Sequence, residues 1–172
     1  MESEHMNSNE TALAVLQQYW DRLLPVDPVK MATTAGIAVY RRGEAGDEGF
    51  VNSGAYRKIK GTPIIEFNAT ESAVRQRYVV AHAFGHWALG HEDVPVEVGN
   101  VFDNDDPREV AANNFATAIL MPTAIVIDIY RSGRTADLAD MASKFGVSKD
   151  AMGYRLINLG LMNIRPHRSR PG

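Results

Sequence analysis

Apolar residues recur along this chain in two rhythms, and the switch between them outlines its layout. Between Glu10 and Leu23, the residues Leu13, Leu16, Trp20 and Leu23 fall three or four apart, which predicts an amphipathic helix with that face turned inward. Pro25 ends it. Asp27-Pro28 places a capping residue before a proline at the first helical position, so a short second helix should run to about Ala35. Gly36 then releases the chain into a strand at 37–40. Beyond the polar, glycine-rich turn at 43–49, two further extended segments are predicted, near 54–59 and 62–68. Pro63 cannot donate to a ladder, which suggests that the second is an edge strand.

The helical rhythm then returns. Thr70-Glu71-Ser72 opens a long helix through about Leu89, stopped by Gly90, and the acidic stretch 91–105 reads as irregular and exposed. Asp106-Pro107 starts another helix, which Met121-Pro122 closes. Helices near 123–131, 136–145 and 149–159 follow, the first two separated by the turn Ser132-Gly133. Helices, then strands, then helices predict an α+β fold.

Composition narrows the chemistry. A chain of 172 residues can bury a core without staples, and with no cysteine it can form neither a disulfide nor a thiolate metal site. A net charge of −3 argues against bulk attraction to nucleic acid or membrane. No apolar run approaches the ~18–20 residues of a membrane span and no signal peptide is evident, so a cytoplasmic location is expected. The opening Met1-Glu2-Ser3-Glu4-His5-Met6 reads as a cloning remnant before a second start at Met6, which removes His5 from site arguments.

The candidate chemistry lies in Arg77-Tyr78-Val79-Val80-Ala81-His82-Ala83-Phe84-Gly85-His86-Trp87. His82 and His86, four apart on a helix, project both imidazoles from one face, as a single zinc ion requires of two nitrogen ligands. The apolar flanks suggest a buried helix, where charged histidines would be costly and neutral, metal-bound ones would not. The spacing alone is weak evidence, because two satisfied core histidines produce it too. A third ligand is best sought on the helix opened by Asp106, where Glu109 and Asn113 stand at i and i+4. Glu109 could reach the metal and Asn113 could hold a ligand histidine through its free ring N–H. Equally, Asp106-Pro107-Arg108-Glu109 is a capping-box sequence, in which Glu109 would serve only as a cap.

The run from Arg77 to His91 resembles the zinc helix of the ImmA/IrrE family of metallopeptidases. The stretch from Glu109 to Pro122 is similar to that family's E-x-x-A-N-x-F-A-x-x-L-L-M-P helix, and Phe145-Gly146-Val147-Ser148 with 156–161 is similar to its C-terminal helical segment. The resemblance covers roughly residues 60–162, in order. It implies a zincin-like fold, a small twisted sheet beside an H-E-x-x-H-type helix, with a helix-turn-helix-like C-terminal segment. It also implies zinc held by His82, His86 and Glu109, and a substrate peptide pairing with the edge strand at Ile64, Ile65, Glu66 and Phe67. Family members cleave, or act with, helix-turn-helix (Xre-type) repressors, and some sit in toxin–antitoxin-like pairs.

The departure matters as much as the match. Where the family carries the glutamate of H-E-x-x-H, this chain has Ala83, which cannot move a proton to or from the reacting groups. Metal binding should survive, because that glutamate is not a ligand. Intact His82, His86, Gly85 and Glu109 favour an engineered inactivation of a protease. The alternative is a natural pseudo-protease acting as a toxin–antitoxin or regulatory module.

Other residues carry less. His91 is out of phase for H-E-x-x-H-x-x-G-x-x-H, since Leu89 and Glu92 stand where glycine and histidine are needed, so it reads as a helix-end residue. Tyr130 and Tyr154 could stabilise an oxyanion, but tyrosines on helical faces are more often packing residues. Residues 131–170 are basic and include a helix-turn-helix-like pair, which raises DNA binding only as a minor reading. The layout expected is a remnant at 1–6, a zincin-like domain at 7–125, a C-terminal helical segment at 126–164 and a basic tail at 165–172.

Overall fold

The elements follow those rhythms in a computed structural model that describes residues 2–44, 50, 52–91, 94–96 and 106–163. They are α1 (Glu2–Tyr19), α2 (Pro28–Thr34), β1 (Ala38–Arg42), β2 (Gly54–Ile59), β3 (Thr62–Asn68), α3 (Ala73–Ala88), β4 (Val94–Val96), α4 (Pro107–Leu120), α5 (Thr123–Ser132), α6 (Leu138–Phe145) and α7 (Lys149–Asn158). Starts are capped as the sequence suggests. The Asp27 carboxylate accepts from the Val29 and Lys30 N–H groups, and Ser72 Oγ accepts from the Arg75 N–H. The acidic stretch expected to be irregular contains β4; residues 92–93 and 97–105 lie outside the described residues, as does the expected basic tail.

The strands form one sheet in the order β1-β3-β2-β4. β2 and β3 make a hairpin in which Ile59 faces Thr62, and Lys60 and Gly61 supply the two positive φ angles (50° and 83°) of a tight turn. β1 runs parallel to β3, and β4 antiparallel to β2. β3 is therefore a central strand, which corrects the edge assignment drawn from Pro63. The parallel pairing with β1 begins at Ile64, so Pro63 stands before it and its missing N–H interrupts no ladder on that side.

α3 lies across the sheet, approaching closely at Gly54, where a Cβ would collide with Val79 Cγ1 and stand 2.8 Å from the Glu66 carbonyl oxygen. α4 packs on α3 and α1 packs on α4, and Ala12, Val15 and Leu16 of α1 are buried. The predicted face of α1 is thus rotated. The helix ends at Tyr19, and Leu13 and Leu23 are 57% and 64% exposed. Leu16 keeps its predicted inward place, while Ala12 and Val15 are buried where Leu13 and Leu23 were expected.

Buried residues of α6 and α7, among them Met141, Phe145, Met152 and Leu156, belong to the same hydrophobic cluster as Phe84 and Phe115 of α3 and α4. Two arginines tie the C-terminal helices down. Arg77 on α3 donates to the Gly146 and Val26 carbonyls, and Arg155 on α7 donates to the Met121 carbonyl and to Thr123 Oγ1. Among the described residues no single helix is long and apolar enough to cross a membrane.

Candidate metal centre

α3 is apolar on nearly every side in its second half: Val79 through His86 are all buried. The four-residue spacing brings the two histidine rings to 4.7 Å between centroids and their Nε2 atoms to 2.9 Å. Two imidazole lone pairs turned toward each other in a dry interior need a cation or a proton between them.

The third group comes from α4. Asp106 caps that helix by accepting from the Arg108 N–H, while the Glu109 carboxylate turns to the histidines. Its Oε2 lies 3.0 Å from His82 Nε2 and its Oε1 lies 3.4 Å from His86 Nε2. Of the two roles open to Glu109, its oxygens face the one that a ligand would take. Gly85 makes this reach possible, because α4 passes so close that a Cβ there would stand 3.0 Å from Phe115 Cδ1 and 3.2 Å from the Ala112 carbonyl oxygen.

One ligand atom from each of His82, His86 and Glu109 gathers within 4.8 Å of the others. A tetrahedral zinc with Zn–N near 2.0–2.1 Å would set its ligand atoms about 3.3 Å apart, so the observed spacing needs only a few tenths of an ångström of expansion. The protonation states suit a metal. Hydrogen bonds to His82 and His86 hold the Glu109 carboxyl far below the usual carboxylate range, and burial pushes His86 below the ordinary imidazole value. An ionised carboxylate beside a neutral imidazole is the ligating form of both. The donor set, burial and spacing fit a divalent ion.

The far sides of the two rings differ. Among the described residues, His82 Nδ1 is buried with no hydrogen-bond partner. Asn113, expected to hold a histidine, instead accepts at Oδ1 from the Tyr78 hydroxyl at 2.6 Å. The i, i+4 spacing to Glu109 is as predicted, but the register of α4 on α3 sets Asn113 against Tyr78, one turn before His82. Burial raises the Tyr78 phenol, so it stays a hydroxyl donor. His86 Nδ1, by contrast, lies 2.8 Å from His91 Nδ1. His91 does stand at the helix end, and it also touches the site. The sequence signal for this was Gly90 immediately before it.

Ala83, which follows His82 on α3 and stands where the resemblance places a glutamate, is fully buried. Ile64, Ile65, Glu66 and Phe67 do not line an open edge. They pair with β1 on one side and β2 on the other, so no peptide can add there, which corrects the expected substrate strand. Ile65 and Phe67 are core residues, and Glu66 stands between Arg42 at 3.3 Å and Arg57 at 3.6 Å. Tyr130 and Tyr154 lie on α5 and α7 and are partly exposed.

A sequence model of the Peptidase_M78 family, described as the IrrE N-terminal-like domain, matches residues 36–157. No curated protein sequence matches the chain. Among solved structures, a chain titled a Mycobacterium tuberculosis transcriptional regulator aligns over 99% of this chain, with a TM-score of 0.56 at 17% identity. This chain spans 49% of that one, and at such identity the likeness is one of fold.

Proposed function

The chain belongs to the peptidase family defined by the IrrE N-terminal-like domain, and from that premise we propose that it is a zinc endopeptidase by descent, silenced by Ala83. The observation behind this reading is the convergence of His82, His86 and Glu109, borne by two helices, on one point. Two imidazoles and a carboxylate are a donor set that zinc takes in hydrolytic sites, with a fourth position left open. Zinc there would polarise a peptide carbonyl and acidify water for attack.

The chain's own residues then have separable tasks. His82 and His86 offer neutral nitrogen, Glu109 offers charge, and Gly85 sets the distance between the two helices. Position 83 should take a proton from the attacking water and return it to the leaving amine; a methyl group does neither. General acid–base groups contribute about 10²–10⁴-fold, so this form should keep its metal and lose nearly all turnover.

The substrate proposed is a helix-turn-helix (Xre-type) repressor or antitoxin in the cytoplasm. Its scissile segment would add as a strand to β4, the edge of the sheet that also contacts α3. DNA is not part of the proposal; of the C-terminal arginines, Arg155 is engaged with the Met121 carbonyl and Arg134 with Asp128. Intact ligands around a single missing acid are what a deliberate inactivation leaves. Ala83 also favours a second reading, a natural pseudo-protease that binds the same partner without cutting it; a glutamate codon in the native gene would remove the main reason for it.

Two measurements test the proposal. Elemental analysis should find about one zinc per chain, lost in His82→Ala and Glu109→Ala. The Ala83→Glu variant, loaded with zinc and incubated with the repressor encoded beside its gene, should cut it at one site. A metal-free parent sinks the metal centre, and an intact repressor sinks the protease.

A further inference from the structure

The end of α3 is built in a way that the zinc site alone does not explain. Leu89 closes the helix, Gly90 takes a φ of 75°, and the chain reverses with two backbone bonds: Gly90 N–H to the Trp87 carbonyl at 3.1 Å and His91 N–H to the His86 carbonyl at 2.9 Å. This paired closure is a Schellman motif, which sets the residue after the glycine over the residue five before it. That contact is commonly between apolar side chains. Here it joins two imidazoles, with ring centroids 5.0 Å apart and Nδ1 atoms at 2.8 Å.

At 2.8 Å, one of those nitrogens must carry the proton and the other must accept it. His86 has Nε2 turned to His82 and Glu109, so if that nitrogen is to offer a lone pair, its proton sits on Nδ1. His91 Nδ1 is then the acceptor, and its own proton rests on Nε2. His91 does not belong to the group of converging ligand atoms, so it acts through His86 rather than on the metal. Asymmetry within the pair sharpens the point, because among the described residues the Nδ1 of His82 has no such partner.

We infer that His91 is a positioning residue of the metal centre: by accepting from His86 Nδ1 it fixes the tautomer and ring orientation in which His86 Nε2 can ligate. This rests on the metal-centre reading given above. A partner of this kind carries about 10–100-fold in metal affinity.

The test is zinc affinity, measured by chelator competition, on the full chain and two variants. His91→Phe keeps a flat ring on His86 without an acceptor. His91→Asn presents an oxygen near the position of Nδ1. Affinity should fall at least tenfold in His91→Phe and recover most of that loss in His91→Asn. Equal affinity in all three, or equal losses in both variants, overturns the inference while leaving the metal centre standing; a parent that binds no zinc removes both. Nitrogen-15 NMR of the unmodified zinc-loaded chain tests the same point without mutation. His86 protonated at Nδ1 and His91 protonated at Nε2 supports it, and a proton on His91 Nδ1 overturns it.

Discussion

At the scale of single residues, the centre depends on what position 83 carries. Ala83 has no exposed surface and touches the apolar cluster of the core. A glutamate there would bring a carboxyl group into a dry space, where even its neutral form costs about 2 kcal/mol unless a cation or hydrogen-bond partner meets it. For a domain of this size that corresponds to roughly 4–8 °C in Tm. Metal-free Ala83→Glu should therefore melt below the parent in calorimetry and regain part of the difference when zinc is added. Equal Tm values without metal would show that the position is not closed to a carboxylate. Activity and stability thus pull in opposite directions at one side chain.

Between elements, the decisive contact is α3 against α4, and Gly85 governs it. Alanine at that position would gain about 0.8–1 kcal/mol in helix propensity. The added methyl, 3.0 Å from Phe115 and 3.2 Å from the Ala112 carbonyl, costs a similar amount by overpacking. Gly85→Ala should accordingly leave Tm nearly unchanged while moving α4, and with it Glu109, by a few tenths of an ångström. A roughly tenfold loss of zinc affinity is expected, on the scale at which loosened ligand support weakens a site. A variant that binds zinc as tightly as the parent would show that Glu109 follows its own helix start rather than this crossing.

Across the whole molecule, the C-terminal helices share their buried surface with α3 and α4, and the partly buried Arg77 stitches them together. Burial lowers its pKa, yet it has carbonyl partners on both the segment before α2 and the α6–α7 turn. Arg77→Met keeps the stem and strands both carbonyls, so about 2–3 kcal/mol of stability should go. That is roughly 4–12 °C in Tm, and zinc affinity should stay unaltered. A large fall in zinc affinity would instead mean that the C-terminal segment helps to hold the site. Local order was legible in the chain itself. The i, i+4 histidines, the caps at Asp27, Ser72 and Asp106, and the Lys60-Gly61 turn depend on interactions within a few residues, and no tertiary context can move them far. What lay beyond reading was decided between distant segments. β1 pairs with β3 across more than twenty residues, which made the proline-bearing strand central. The buried face of α1 runs through Ala12, Val15 and Leu16 and leaves Leu13 exposed, a choice made by packing against α4 and not by apolar spacing alone. Asn113 found Tyr78, and His91 found His86, because side-chain hydrogen bonds reach only about 3 Å and helix register and chain reversal set which groups come within that distance.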